Sequence, residues 1–350
     1  MSEERFCFHA DWYDPQAAFN RRYQLLYYPS DGSVELFEIK TKRHFLKRSR
    51  IETINPSDLY IGSTVTILSR TMKIVEYGDV YTSRSLSSNQ QRTTAVLVKG
   101  HLSKLGQIID SVYKSGIKIS KMRQVQLNTQ DAYHLISTQR DKSNFNVCTN
   151  ALTEGPIVVM ELLGADALNK WKSVIGVSDI TSELDFETMN KINENLLQNR
   201  KLGKNTAVYN DTTCCIIKPH LVASGMAGAA IYEIQRAGYD ISAIMALNFS
   251  KPNAEEFLEV YKGVLQEYPE MVEELVNGTC FALEVKSQGS QGTFRDFCGP
   301  HDPEIARTLR PGTLRALFGT DKIKNAVHCT DLQEDSILEV EYFFRILDQI

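Results

Sequence analysis

The chain has no long apolar segment of the kind that anchors a protein in a membrane. Its 350 residues contain no apolar run of about twenty residues, and the acidic N-terminus lacks the apolar core of a signal peptide. The formal net charge of −4 leaves no basic excess, which a general nucleic-acid binder would normally show. These absences predict a globular cytosolic protein that binds neither membranes nor nucleic acids.

Cysteine occurs without the spacing that builds a disulfide framework or a metal site. The seven cysteines are an odd number and follow no ligand spacing, which is typical of a reducing compartment. We expect Cys298 and Cys329 to pack in the interior rather than to act as redox centres. The sequence predicts no metal site formed by cysteines.

One histidine lies among the side chains that phosphoryl transfer requires. His328 stands between Asn325 and Asp331, and Glu339 follows eleven residues later. A neutral imidazole nitrogen can attack phosphorus when an acceptor holds the other nitrogen. Such a histidine, taken alone, is more commonly a packed side chain, but the cations that precede it in the sequence favour the nucleophile. These cations are Lys218, Arg295, Arg307, Arg310 and Arg315.

Three short motifs resemble the nucleoside diphosphate kinases. They are Ile217-Lys218-Pro219, Arg310-Pro311-Gly312-Thr313-Leu314-Arg315 and Asn325-x-x-His328. In that family, the histidine accepts the γ-phosphate of a nucleoside triphosphate and passes it to a nucleoside diphosphate. The resemblance therefore implies a complete domain of this family over residues 211–350.

The resemblance also implies roles for individual residues. His328 corresponds to the phosphate acceptor and Glu339 to the carboxylate that orients it. Magnesium is expected to enter with ATP or another nucleoside triphosphate, because it bridges the β- and γ-oxygens, and no protein metal ligands are required. The chain departs from the family at Glu270, where an aromatic residue is usual, and at His301, where a threonine contacts phosphate. The residues that correspond to phosphate, histidine-positioning and ribose contacts are Lys218, Tyr261, Arg295, Arg315 and Asn325.

An internal repeat links the middle of the chain to this domain. Residues 98–102 correspond to residues 217–221, and residues 155–161 correspond to residues 278–284. Repeats of this kind indicate two copies of one fold.

The correspondence stops after Gly176, so the first copy has no equivalent of His328. Catalysis through a nucleophile cannot survive the loss of that nucleophile. We therefore interpret residues 92–176 as a truncated, inactive copy and residues 177–210 as a polar, partly helical connector.

Periodicity predicts the elements of the second copy. Apolar runs predict strands over 214–217, 241–248 and 280–285. Helical spacing predicts helices over 227–237, 255–265 and 271–276, and Gly238 is a typical stop for the first of them. This order favours a ferredoxin-like α/β sandwich.

The first 91 residues show strand patterns without a convincing helix. Residues 23–28 and 33–40 alternate around a Pro-Gly turn, which predicts a hairpin in a small barrel or sandwich. The run Tyr27-Tyr28-Pro29-x-Asp31-Gly32-x-x-Glu35 resembles the DM-ten module of ciliary proteins. The predicted fold class is thus α+β, with a β-rich module over 1–91 and two ferredoxin-like kinase repeats, the first truncated.

A dense basic run lies in this module. It is either the solvated face of a hairpin or a contact for an acidic partner. The resemblance to ciliary proteins implies tubulin and other axonemal proteins as partners, and the cytoskeleton of a cilium or flagellum axoneme as the location. The six cations are Lys40, Lys42, Arg43, Lys47, Arg48 and Arg50.

Three functions fit these patterns. The first is a kinase that works through phospho-His328 in an axonemal doublet-microtubule protein. The second is a structural microtubule-lattice protein whose kinase fold serves only for packing. The third is a nucleotide sensor that binds without turnover.

Overall fold

The structure is a computed structural model that describes residues 3–14, 16–51, 54, 56–68, 70–87, 90–176, 180–287 and 293–349. It contains two compact units. The first combines Met1–Gln91 with Asn248–Gly278, and the second combines Arg92–Leu247 with Thr279–Ile350. Across the described ranges, no helix has both the length and the hydrophobicity to cross a membrane.

The strands and helices follow one another along both units. The strands are β1 Phe6–Asp14, β2 Phe19–Tyr28, β3 Ser33–Glu38, β4 Arg43–Arg50, β5 Thr64–Ile67, β6 Arg70–Tyr77, β7 Gln91–Leu97, β8 Lys118–Gln126, β9 Ile157–Gly164, β10 Lys204–Asn205, β11 Thr212–Ile217, β12 Tyr239–Asn248, β13 Thr279–Ser287 and β14 Val327–Cys329. The helices are α1 Val80–Ser87, α2 Leu105–Lys114, α3 Thr129–Leu135, α4 Phe145–Thr153, α5 Ala167–Ile175, α6 Phe186–Ile192, α7 Pro219–Ala223, α8 Ala227–Arg236, α9 Lys251–Phe257, α10 Tyr268–Val276, α11 Phe294–Cys298, α12 Pro303–Leu309, α13 Leu314–Phe318 and α14 Ser336–Glu341.

The N-terminal module is a six-stranded sheet in the order β4-β3-β2-β1-β6-β5. The predicted hairpin is confirmed, because β2 and β3 pair antiparallel with Tyr27 opposite Val34. Gly32 adopts φ 69° in the turn, a conformation that suits glycine. Apolar side chains on one face, such as Leu25 and Leu36, are fully buried. The module is therefore β-rich, as predicted, although it also contains α1, a helix that the sequence did not indicate.

The second unit contains an eight-stranded sheet to which both copies contribute. The strand order is β14-β11-β13-β12-β8-β9-β7, and β10 pairs with β8 at the side. The copies meet where β12 pairs antiparallel with β8, with Met245 opposite Arg123. Each copy has the ferredoxin-like arrangement. The pairing of β12 with β8 joins the two copies into one continuous sheet.

Most predicted elements of the second copy are confirmed within two residues of their expected ends. The helix predicted over 255–265 is wrong in its bounds, since α9 spans Lys251–Phe257 and a 3₁₀ turn, Glu259–Tyr261, follows it. The helix begins early because the Ser250 side chain caps it by accepting from the Asn253 N–H, and Pro252 suits the first turn.

Part of the predicted connector completes the core of the first copy. Its first residues, 177–179, lie outside the described ranges. Helix α6 is followed by a π-helical turn, Asn193–Gln198, just as α14 is followed by Tyr342–Ile346. Ile192 and Leu196 are buried in the first copy's core. The first copy therefore ends on a helix like that of the second and lacks the intervening histidine segment.

Candidate active site

His328 lies in β14, a short strand that pairs with β11 with Ile216 opposite the histidine. Its side chain is buried, and its Nε2 lies 3.0 Å from Glu339 Oε2. The Thr330 hydroxyl donates to the same Glu339 oxygen at 2.8 Å. One carboxylate oxygen therefore holds both the ring and the threonine. Sequence reasoning missed Thr330, whose only signal is its position two residues after the histidine.

A strained turn precedes the histidine. Ala326 adopts φ 71°, and the Val327 N–H donates to the Asn325 carbonyl at 2.9 Å. This geometry is a γ-turn, which is rare for a residue with a side chain. Such strain costs on the order of 1–3 kcal/mol and persists only where neighbouring groups enforce it. The turn sets the direction from which β14 presents His328.

Arg315 and Lys218 are buried against the same segment. Arg315 donates through Nη1 to the Gly299 carbonyl at 2.8 Å and through Nη2 to the Val327 carbonyl at 3.2 Å. Lys218 donates through Nζ to the Ile323 carbonyl at 2.8 Å. Both cations therefore fix the backbone around the histidine while they place positive charge beside it.

Arg295 lies on the exposed side, where it forms an ion pair with Asp331 at 3.2 Å and donates to the Asp331 carbonyl at 3.0 Å. The pair joins α11 to the residues that follow β14. A phosphate that approached Arg295 would compete with Asp331 for the guanidinium.

Asn325 is almost fully buried, and its amide donates to the His301 carbonyl at 3.0 Å. Its Oδ1 has no hydrogen-bond donor among the described residues. His301 thus touches the predicted site through its backbone. The structure brings His328, Glu339, Lys218, Arg315 and Asn325 into one region of the second unit.

Tyr261 lies in the first unit, at the end of the Glu259–Tyr261 turn, and is half-buried. Its predicted contact with nucleotide stays a prediction. In the part of the chain that the structure describes, no cluster of three or more His, Cys, Asp or Glu residues could hold a metal ion.

Two cysteines near the histidine are buried: Cys329 is the last residue of β14, and Cys298 is the last residue of α11. A hydrogen bond from the Cys298 side chain lowers the pKa of Cys329, and the charge of Arg315 acts in the same direction. Burial raises the pKa of the Cys298 thiol. Arg315 Nη2 lies 3.6 Å from the Cys329 sulfur, so the thiol packs against the same cation that holds the backbone.

The six cations of the N-terminal basic run are all exposed. Arg48 forms an ion pair with Asp31 at 2.8 Å, and its guanidinium stacks 3.9 Å from the centre of the Tyr28 ring. Lys40 Nζ lies 5.1 Å from the centre of the Phe19 ring. The described residues provide no ion pair for the remaining four, which are Lys42, Arg43, Lys47 and Arg50.

The second copy is a ferredoxin-like sandwich that carries a carboxylate-held histidine on β14, a short strand at the edge of the sheet. The chain belongs to the nucleoside diphosphate kinase family, whose sequence model, "Nucleoside diphosphate kinase", matches residues 92–196 and 211–348. These two segments correspond to the two copies. A second model, "Nucleoside diphosphate kinase 7 N-terminal PH domain", matches residues 1–88. The resemblance of this module to DM-ten stays a prediction.

Among its relatives, the chain is 43% identical to "Nucleoside diphosphate kinase homolog 7" of Rattus norvegicus, over 99% of this chain and 94% of that protein. It is 42% identical to the protein of the same name from Mus musculus, with the same coverage. A "Nucleoside diphosphate kinase" of Chloroherpeton thalassium is 34% identical over 38% of this chain and 92% of its own length.

Proposed function

We propose that the second copy is an active nucleoside diphosphate kinase that works through a phosphohistidine at His328. The observation that carries this proposal is the 3.0 Å contact between His328 Nε2 and Glu339 Oε2. A proton on Nε2 that is donated to Glu339 leaves the lone pair on Nδ1, which makes Nδ1 the attacking atom. The substrates are a nucleoside triphosphate, such as ATP bound to magnesium, and a nucleoside diphosphate.

The reaction has two halves. In the first, His328 Nδ1 attacks the γ-phosphorus, an N–P bond forms, and the bond to the bridging oxygen breaks. The nucleoside diphosphate leaves with the electron pair, and Glu339 stabilises the positive charge on the ring. In the second, a terminal phosphate oxygen of another nucleoside diphosphate attacks the same phosphorus and the N–P bond breaks. Histidine and carboxylate then return to their starting state.

The cations supply electrostatic stabilisation. Lys218, Arg295 and Arg315 lie on elements that flank the histidine, and the transferred group carries its negative charge on equatorial oxygens. Lys218 and Arg315, which are buried, are already oriented by their hydrogen bonds to backbone carbonyls. Little reorganisation of these two side chains is therefore required when phosphate arrives. The first copy lacks such a histidine and is proposed to be inactive.

Label transfer tests the kinase. Purified protein is mixed with magnesium and ATP labelled in the γ-phosphate, and acid-labile, base-stable label is measured beside His328→Ala. We expect label in the wild type and in His134→Ala, an exposed control in the first copy, and none in His328→Ala. Nucleotide binding without label in the wild type would contradict the kinase and favour the sensor.

We further propose that the protein acts in the cytoplasm as part of the ciliary or flagellar axoneme, on doublet microtubules. Support comes from the resemblance to ciliary proteins and from the exposed cations Lys42, Arg43, Lys47 and Arg50. Four exposed cations for which the described residues provide no ion pair suit an acidic surface such as that of tubulin. A purely structural role in the lattice would require the same contacts and no turnover.

Co-sedimentation with polymerised tubulin tests this second proposal. We expect binding that weakens with salt and that falls at least severalfold in Lys42→Glu/Arg43→Glu. The matched control, Lys104→Glu/Lys172→Glu, makes the same charge change at exposed positions of the first copy. Equal binding by the two variants would contradict the assignment of these cations.

A further inference from the structure

The strained residue Ala326 is held from both sides by one short segment. Its carbonyl accepts from the Lys218 N–H at 3.0 Å. Its own N–H donates to His220 Nε2 at 3.3 Å. Lys218 and His220 flank Pro219, where α7 begins, so a single turn of chain fixes both polar groups of the γ-turn residue.

Because Ala326 is buried, the loss of either contact would destabilise the turn. Ala326 has no exposed surface, so water cannot replace a lost partner for its N–H. An unsatisfied buried N–H costs about 1–3 kcal/mol. The strain at φ 71° adds to that cost, and the turn would relax if either partner were removed. Relaxation would displace His328, which lies only two residues further on.

The contact also defines the state of the imidazole. His220 Nε2 accepts the hydrogen bond, so it carries no proton and the neutral ring is protonated at Nδ1. A side chain that lacks an acceptor at this position cannot replace it. Glutamine can, because its amide oxygen occupies nearly the same place as Nε2.

The first copy provides an internal comparison. His101 occupies the position of His220 in the repeat, but that copy lacks the histidine segment. The Nδ1 atom of His101 is buried without a hydrogen-bond partner in the described part of the chain. The imidazole has thus been retained where the strained turn is missing, which makes His101 a control of the same residue type at the equivalent position.

We propose that His220 is a positioning residue for phosphoryl transfer, which holds the γ-turn at Ala326 and thereby aims the ring of His328. This inference rests on the kinase activity proposed above. His220 acts through the backbone of Ala326 and has no part in the chemical step.

Four variants test the proposal by rates of label transfer. We expect His220→Leu to lower the rate at saturating nucleotide by about 10- to 100-fold, the effect of a reacting group displaced by about 1 Å, with little change in KM. His220→Gln should restore most of the rate. The double variant His220→Leu/Ala326→Gly should recover part of it, because glycine adopts φ 71° without enforcement. His101→Leu should leave the rate unchanged.

A second measurement does not depend on activity. Amide hydrogen exchange at Ala326, followed by NMR after alanine labelling, should be slow in the wild type and in His220→Gln and fast in His220→Leu. The inference would be overturned if His220→Leu and the wild type had equal rates of label transfer and equal protection of the Ala326 amide. It would also be overturned if His220→Leu and His220→Gln lost the rate and the protection to the same extent. If the wild type takes no label but the exchange pattern holds, the kinase proposal fails while the role of His220 in the turn stands.

Discussion

At the residue scale, one carboxylate oxygen of Glu339 contacts both His328 and Thr330. Glu339 Oε2 accepts from Thr330 and contacts His328 Nε2, so the carboxylate is itself oriented while it orients the ring. Hydrogen bonds to a charged acceptor are stronger than neutral ones. The ring therefore has one preferred tautomer, which is the one that a nucleophilic Nδ1 requires.

Glu339→Gln tests that arrangement. Glutamine keeps the size of the side chain but removes the charge that stabilises the imidazolium, so we expect phosphohistidine formation to slow by about 100-fold. Initial rates of label incorporation measure the effect. Glu341→Gln, which lies on the same helix and pairs with Arg345, is the control and should keep the wild-type rate. An unchanged rate in Glu339→Gln would contradict the assigned role.

The lowered pKa of Asp31 predicts how the stability of the protein changes with pH. The Ser33 side chain and backbone N–H, with a further bond from Arg48, lower the pKa of Asp31 to about 2. The unfolded value is about 3.9, so the ionised form adds stability above that pH and loses it as the pH falls towards about 2. Melting temperatures from pH 5 to 2 should therefore converge for wild type and Asp31→Asn at the acid end. A constant difference would contradict the shift.

Two helices approach unusually closely at the element scale. A Cβ atom added at Gly106 in α2 would lie 2.2 Å from the Tyr232 N in α8, and one added at Gly228 in α8 would lie 2.1 Å from the Asp110 N. The obstructing atoms belong to backbone, which cannot rotate away. Glycine at these two positions permits the packing of α2 on α8, which joins the two copies.

Gly106→Ala should consequently reduce the free energy of unfolding by about 2–3 kcal/mol, the cost of overpacking a well-filled contact. Urea unfolding measures it. Gly100→Ala is the matched control, since nothing lies within 4 Å of its added Cβ atom, and it should change stability by less than about 1 kcal/mol. Similar values for both variants would contradict the close approach.

Within the second unit, an ion pair between buried side chains joins the two copies. Arg123 in the first copy forms a buried ion pair with Asp348 near the end of the second, with Nη2 to Oδ2 at 2.8 Å. Arg123 also donates to the Leu196 and Leu202 carbonyls. The first copy therefore serves as a packing partner for the second copy and holds its C-terminal residues.

Asp348→Ala should destabilise the chain by about 3–5 kcal/mol, because it leaves Arg123 buried without its counter-ion. Chemical unfolding monitored by circular dichroism measures the change. Asp240→Ala, an exposed aspartate in β12, is the control and should have little effect. A small effect of Asp348→Ala would show that the guanidinium is satisfied by the carbonyls alone.

Local patterns predicted a large part of this protein. The hairpin of the N-terminal module, the strands and α8 of the second copy, and the repeat are encoded by spacing, turn residues and similarity between segments. His328 and Glu339 were predicted together because they lie only eleven residues apart and because the resemblance to the family implies a role for each. The apolar spacing of Met189, Ile192 and Leu196 was visible too, but the polar residues between them led to the interpretation as a connector.

Other features depend on contacts between residues far apart in sequence. Sequence alone determined which residues are predicted to carry phosphotransfer chemistry, since their identity, their spacing and the resemblance to the family indicate a nucleophile and its cations. Only the tertiary structure decided that Lys218 and Arg315 bind backbone carbonyls, that Arg48 is committed to an ion pair, and that His220 contacts Ala326. Hydrogen bonds and burial depend on distance in space, which residue order does not specify until the sheet has brought its strands together.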